Sequence, residues 1–587
     1  MARNSPAEAT RSMVYSDRFE PPSPGAWERE STHMHHPMSR FLAALFPRAF
    51  TRGFKESLTH YGLLLDSIEA TVIHGFMYTA PRPVGAPKNA KGPPPKPVFK
   101  LLTWFHPEIR RRIARSREVL EKKLWREQVR EWDEQVKPAL AQAHQRLLAV
   151  ELSSLSDEGL AAHIRECAEG LAHAIYTHHR FNGCAIVPVG DYLVHASEWT
   201  GLSRTELLAA LRGTSPISAG ATAELAKLSK AIRDGSEARA ALTSGRAPAE
   251  VLRELREAGG EVGEAMRDYL GLVGYRAVTG YDVADRTGLE MPEILIGAIR
   301  SAVEQPQAQA GDGAEALAKV RDAVPGAHRV QFDELLAEAR FVFRMRDERT
   351  LLNDVIMTGI TRRALLEAGR RLAQRGRIDD ASHAVDLVSE ELVAILSGRD
   401  AGPPREVIAE YVRYRSTKTY LDAPEFIGFP PSPPPPASWL PPHAARMARA
   451  VGIILDAMFK TRGPPQAEAS AKTASLAVKG LAVGGGTYEG PARVVLSAAD
   501  FPRVQKGDVL VARATSPAYN TLLPLLGAVI TDRGGLLSHP AIVAREYGLP
   551  GVVGCVDATA RLPDGARVRV NGTTGEVHLI SKATEAA

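Results

Sequence analysis

The chain has 587 residues, of which 44% are hydrophobic and 24% charged, with a formal net charge of +5. This length exceeds one ordinary core and implies two to four domains, with the balance of a soluble globular protein. No apolar run reaches the roughly 18 residues of a membrane helix, so no membrane span is expected. Arginines interleave with acids and no basic stripe carries aromatics, so nucleic acid is not an expected partner.

Residues 1–32 form an N-terminal segment without the apolar core of a secretory signal. The cluster His33-Met34-His35-His36 lacks the second ligand set that zinc needs, so no metal site is assigned. The stretch 80–97 contains Gly92-Pro93-Pro94-Pro95, and 429–442 contains four consecutive prolines. Both favour extended loops over helix. Residues 107–150 carry Arg/Glu/Lys/Leu periodicity with Trp125 and Trp132, which predicts one or two long helices. Ser156 precedes another, and 216–246, 250–272, 351–375 and 383–397 add more. Cys167, Cys184 and Cys555 fit neither a disulfide framework nor a zinc pattern and point to a reducing cytoplasm. Residues 33–462 are therefore expected to form one mainly helical domain. Residues 463–486, rich in Ala, Gly, Ser and Lys, are expected to be a hinge linker. From Gly490 onward short apolar runs alternate with glycine turns, so 487–587 reads as a compact β/α domain.

The most specific run lies in this last domain. Ala528-Val529-Ile530-Thr531 is a predicted strand, broken by Gly534-Gly535. Pro540 suits the first turn of a helix that Gly548 stops, so His539 falls at or beside the N-cap. Free N–H donors there favour anions, and the same field holds the imidazole neutral and nucleophilic. Thr531, Arg533, Gly534, Gly535 and Ser538 surround His539. Ser538 is positioned to bind a phosphate or cap the helix, and Arg533 to contact nucleotide phosphates.

Several further motifs stand in order around this run. They are Gly-Thr-Tyr-Glu-Gly-Pro-Ala-Arg-Val-Val at 486–495, Lys506-Gly507-Asp508-Val509-Leu510-Val511, Thr515-Ser516-Pro517 and Val570-Asn571-Gly572-Thr573-Thr574-Gly575-Glu576-Val577. Together they closely resemble the swivelling phosphohistidine domain of the phosphoenolpyruvate-utilising enzymes, a group that includes rifampicin phosphotransferase and phenylphosphate synthase. The resemblance makes His539 the phosphorylated residue. Two positions depart from the dikinases: Pro540 stands where a small residue is usual, and Leu537 where a threonine is common.

The helical region more loosely resembles the acceptor-binding portion of the same proteins. The matching segments are His36-Pro37-Met38-Ser39-Arg40, Gly53-Phe54-Lys55-Glu56, Tyr61-Gly62, Gly75-Phe76-Met77-Tyr78, Arg346-Asp347-Glu348-Arg349 and residues 362–372. By this resemblance the fold is multidomain: a mostly α-helical acceptor-binding domain followed by a β/α swivelling phosphohistidine domain. The arrangement resembles the larger subunit of phenylphosphate synthase and the C-terminal two-thirds of rifampicin phosphotransferase. No ATP-grasp module or pyruvate-binding barrel is recognised in the sequence. Mg2+ and ATP are therefore expected on a separate ATP-grasp subunit, with the β-phosphate as the transferred group. The expected partner molecule is a small hydroxyl compound, phenolic in the leading reading. An antibiotic-type phosphotransferase and a non-catalytic protein with a degenerate swivelling domain are the alternatives.

Arg346 and Arg349 are the candidate acceptor-site cations, since guanidinium suits bidentate phosphate binding; charge pairing along a helix explains them equally. His179, His195 and His36 are candidates to deprotonate the acceptor. His178-His179-Arg180-Phe181-Asn182 precedes Ile186-Val187-Pro188, an expected helix-to-loop change where site residues collect.

Overall fold

The computed structural model describes residues 18–30, 34, 36–215, 222–278, 280–304, 313–399, 402–459, 476–496, 498–515, 519 and 522–581. His33 and His35 of the N-terminal cluster, Ser516-Pro517 and linker residues 463–475 lie outside them. Two compact units emerge, one from Met1–Val187, Tyr281–Asp285 and Arg349–Arg449, the other from Pro188–Gly280, Arg286–Glu348 and Ala450–Ala587. The region 33–462, read from sequence as one domain, is thus divided between them. Among the described residues no helix is long and apolar enough to cross a membrane.

In the first unit, helices Arg40–His60, Asp157–Arg180, Met357–Gln374 and Ser389–Leu396 surround one core. Phe41, Leu42, Leu160, Ile164, Leu171, Ile360, Leu365 and Leu392 are buried in it. Ser39 starts the first helix by accepting the Leu42 N–H at 3.3 Å, and its own N–H donates to Asp282 Oδ2 at 2.8 Å. Ser156 caps the second helix as expected, accepting from Gly159 N at 3.1 Å. The 107–150 region forms helices Pro107–Lys122, Trp125–Glu131 and Lys137–Leu148, interrupted at Lys123, which adopts φ 52°, and by a π-helical turn Trp132–Val136.

The mainly helical expectation missed a four-stranded antiparallel sheet in this unit. Its strands are β1 (Ala26–Arg29), β2 (Leu65–Ile73), β3 (Phe76–Pro83) and β4 (Phe426–Gly428), in the order β2-β3-β1-β4. His74 and Gly75, with φ 48° and 80°, make the two-residue turn between β2 and β3. The β1–β4 pair joins segments about 400 residues apart, which local pattern does not reveal.

The second unit has a helical core formed by Thr222–Asp234, Pro248–Glu257, Gly260–Val273 and Pro292–Glu304, around Leu228, Ile232, Met266, Tyr269, Leu295 and Ile299. It also holds an eight-stranded sheet. Its strands are β5 (Leu476–Lys479), β6 (Leu481–Val483), β7 (Thr487–Val495), β8 (Asp508–Ala512), β9 (Leu526–Thr531), β10 (Gly551–Val553), β11 (Arg567–Asn571) and β12 (Glu576–Ser581). The order is β5-β12-β11-β7-β8-β9-β10-β6. The central pairs β7–β8, β8–β9 and β9–β10 are parallel. Val509, Val511, Ala528 and Ile530 pack on one side of the sheet, and Leu510, Ala512 and Val529 on the other. Burial on both faces explains why these strands read as unbroken apolar runs. Residues 476–483, expected in the linker, instead form the two edge strands of this sheet. The alternation of Leu476 with Val478 and of Leu481 with Val483 outweighs their small-residue composition.

Candidate active site

His539 opens helix His539–Tyr547, directly after β9 and the glycine turn. Ser538 occupies the N-cap with φ −68° and ψ 159°. Its hydroxyl does not cap the helix; it donates to the Gly535 carbonyl at 2.7 Å and so closes the turn on itself. Gly534 adopts φ 114°, a region reserved for glycine. A Cβ on Gly535 would lie 2.0 Å from the Ala457 carbonyl oxygen, which also accepts the Leu537 N–H at 3.1 Å. The turn is therefore seated against the end of helix Pro442–Phe459. Thr531 is buried and its hydroxyl donates to Arg533 O at 2.7 Å, tying the strand end to the turn. Gly548, at φ 66°, ends the helix as the sequence predicts.

The sequence reading gave Thr515 no role beyond its place in a motif. Its Oγ1 lies 3.0 Å from His539 Nδ1. Which atom donates depends on the tautomer; the Nδ1–H tautomer, donating to that hydroxyl, leaves the lone pair on Nε2. Burial pushes the imidazole pKa down to about 3, and the Arg346 guanidinium adds to the shift. His539 is thus neutral at pH 7, with a cation in electrostatic reach that suits an incoming phosphoryl group.

The two candidate arginines have different surroundings. Arg346 belongs to the unit of His539. Arg349, in the other unit, is buried; its guanidinium donates to the His178 carbonyl and to Asn182 Oδ1, the latter at 2.7 Å. His179, in the same unit as Arg349, has Nδ1 2.7 Å from Ile175 O. Burial, then the neighbouring His178, lower its pKa to about 3, which makes it a hydrogen-bond acceptor at neutral pH rather than a base. The helix-to-loop change expected after Asn182 is instead a corner at buried Phe181 between two helices, the second being Asn182–Thr200. His195 lies in the second unit, with Nδ1 2.9 Å from Asp191 O. His36 is exposed and contacts Lys418 O at 2.9 Å. Among the described residues no group of three or more His, Cys, Asp or Glu is arranged to hold a metal ion.

The helix that His539 opens also carries Arg545, whose Nη1 and Nη2 are buried without a hydrogen-bond partner. Burial, opposed by Glu546 and reinforced by Arg346 and Arg212, lowers its pKa to about 10. A buried, unpaired guanidinium costs stability. Arg545→Met is expected to raise the urea midpoint, by about 1–3 kcal/mol of stability. A lowered midpoint would show that the fold uses this charge.

Acid sensitivity follows from histidines whose protonation the fold disfavours. His539, His179 and His144 have pKa values pushed down to about 3, 3 and 4, and burial also lowers His60, His163 and His173. The unfolded chain takes up these protons near pH 6.5 and the folded chain does not. Their stabilisation is complete above that value and is lost as pH falls toward 3. Asp282, raised to about 6, opposes this, as do Glu28, Asp532 and Glu546, whose carboxyls burial also raises. The melting temperature is expected to fall steadily from pH 7 to pH 4.5; a flat profile would contradict the assignment.

Comparison with known proteins agrees with this geometry. Residues 504–575 match the PEP-utilising enzyme mobile domain, and residues 191–351 match the rifampicin phosphotransferase fourth domain. The chain is 30% identical over 353 residues to a rifampicin phosphotransferase of Streptomyces sviceus, covering 55% of this chain and 35% of that protein. It is 26% identical over 334 residues to an uncharacterized phosphotransferase of Bacillus subtilis, covering 54% and 36%. A rifampicin phosphotransferase of Bacillus cereus is 43% identical over 104 residues, 18% of this chain and 12% of that one. The matched region is about a third of the length of the first two relatives. With a PEP-utilising mobile domain at 504–575 that carries His539 at a helix start, the chain resembles the PEP-utilising enzymes and, among them, rifampicin phosphotransferase.

Proposed function

We propose that this chain is the phosphohistidine- and acceptor-bearing part of an ATP-dependent phosphotransferase. His539 takes a phosphoryl group from Mg-ATP held on a separate ATP-grasp subunit and passes it to an organic hydroxyl, in our reading a phenol. The observation that carries this is the neutral imidazole, half-buried at the first residue of a helix, with Nδ1 against Thr515. In the first half-reaction the Nε2 lone pair bonds the β-phosphorus as its bond to the AMP oxygen breaks, and water takes the γ-phosphoryl group as inorganic phosphate. In the second, the acceptor oxygen bonds phosphorus, the P–Nε2 electrons return to the imidazole, and the hydroxyl proton leaves to base or solvent. A carrier divides one transfer between two sites, each suited to its own step. Arg346 and the positive end of the helix dipole balance the phosphoryl oxygens. ATP as donor is compatible with the reducing cytoplasm read from the cysteines.

The relatives named rifampicin phosphotransferase favour a second reading, in which the acceptor hydroxyl belongs to an antibiotic such as rifampicin. Product analysis tests both. With an ATP-grasp partner and phenol present, AMP, inorganic phosphate and phenyl phosphate are expected in equal amounts. Formation of ADP, or no phosphorylated acceptor from either phenol or rifampicin, would refute the proposal.

A further inference from the structure

Helix Arg40–His60 of the first unit carries Arg52, Lys55, Glu56, Thr59 and His60 along one stripe, at the spacing of a single helix face. Helix Pro107–Lys122 of the same unit contributes Arg111, Arg112 and Arg115. Together they line an open cleft of about 570 Å³, a size within the range of small-molecule sites. Gly62, at φ 67°, brings the two walls close. A Cβ there would lie 2.4 Å from the Arg112 carbonyl oxygen and 2.5 Å from Ser116 N. The transfer chemistry uses neither wall, although Gly53-Phe54-Lys55-Glu56 and Tyr61-Gly62 stand out in the sequence.

The lining holds five lysine or arginine side chains and one carboxylate. That carboxylate, Glu56, is already committed: Oε1 accepts from Arg180 Nε at 2.6 Å and Oε2 from the Tyr176 hydroxyl at 2.5 Å. Asp66, Glu108 and Glu118, which pair with the cations, are not among the lining residues. They brace the basic side chains and leave donors over. Arg115 donates Nε to the His60 carbonyl at 2.9 Å and Nη1 to Glu118 at 2.7 Å; its Nη2 has no hydrogen-bond partner among the described residues. Arg52 is exposed and makes no ion pair among the described residues; its guanidinium lies 4.5 Å from the centre of the Tyr176 ring. His60 Nε2 is buried without a hydrogen-bond partner.

We propose that this cleft binds a compact polyanion carrying two or more phosphate groups, held by Arg52 and Lys55 from one wall and by Arg111 and Arg115 from the other. Guanidinium meets phosphate oxygens through parallel N–H bonds. Cations on two helices call for negative charge at more than one point, which a chain of phosphates supplies and a single phosphate does not. Among the described lining residues there is no Phe, Tyr or Trp, so no stacking platform selects a nucleobase and the phosphates themselves are recognised. The site needs no residue of the unit that holds His539.

Calorimetric titration of the whole chain with tripolyphosphate, orthophosphate and ATP, in the absence of divalent metal, tests this. Tripolyphosphate is expected to bind at least roughly tenfold more tightly than orthophosphate, no more weakly than ATP, and less tightly as salt rises. Arg52→Gln and Arg111→Gln alter exposed side chains on the two walls, and each should cut tripolyphosphate affinity roughly tenfold. Arg413→Gln removes the same charge from an exposed position on helix Arg405–Thr417 and should leave that affinity unchanged. His539→Asn should also bind tripolyphosphate as the native chain does, which separates the cleft from phosphate held at the carrier histidine. Equal affinity for tripolyphosphate and orthophosphate, tighter binding of ATP, an equal loss in Arg413→Gln, or loss of binding in His539→Asn would overturn the cleft as the site.

Discussion

Replacing His539 with asparagine is expected to abolish acceptor phosphorylation, a loss of roughly 10^4-fold or more, as for other covalent carriers and nucleophiles. Asparagine keeps a polar side chain at the helix start, where Ser538 remains the N-cap residue, so the fold should survive. It also removes an imidazole that burial holds unprotonated to about pH 3. The variant should therefore lose slightly less stability than the native protein between pH 6.5 and 4.5. Residual activity above about 1% of native would mean that another residue carries the phosphoryl group. Measuring activity together with thermal unfolding separates loss of chemistry from loss of fold.

The second large effect is structural and acts through the same turn. Gly535→Ala places a Cβ 2.0 Å from the Ala457 carbonyl and 2.9 Å from that of Met458. Both are backbone atoms and cannot rotate away. The turn must lift, breaking the Leu537–Ala457 hydrogen bond, and His539 moves with it relative to Thr515. The expected cost is about 3 kcal/mol of stability and a loss of His539 phosphorylation well beyond what that destabilisation explains. Gly376→Ala is the control: it is also a turn glycine, at φ 69°, with nothing within 4 Å of its would-be Cβ. It should carry only the strain of a left-handed alanine, about 1 kcal/mol. Equal effects from both substitutions would contradict the seating of the glycine turn.

The segment around His539 was legible in the sequence because its signals are local. A β-branched strand, a glycine pair, a proline in the first helical turn and a terminal glycine fall within 21 residues and specify the position of His539 unaided. Thr515 was not recognised as its partner, because 24 residues and a chain crossover separate them. Its place in a motif was the available signal. The four-stranded sheet escaped for the same reason on a larger scale, since β1 pairs with residues 426–428. At the edges of the larger sheet, composition misled: Gly480 and the alanines around it suggested a linker, whereas alternation at 476–483 specified strands.

The acceptor side shows what spacing alone does not decide. Arg346 and Arg349 look like one phosphate clamp, yet Arg349 is spent on the His178 carbonyl and Asn182. His179 has the residue type of a base, but its burial among Phe46, Phe50 and Phe54 gives it the chemistry of an acceptor. Side-chain burial is a tertiary property, and it reassigns a role without changing the residue.

The most direct measurement of the central claim is transfer of label from ATP to His539. The whole chain is incubated with the proposed ATP-grasp partner and ATP labelled at either the β or the γ position, then digested and mapped. The β label is expected on the peptide containing His539, stable to base and released by acid, and absent from His539→Asn. With an active partner, no label on that peptide, label from the γ position, or undiminished label in His539→Asn would contradict the account.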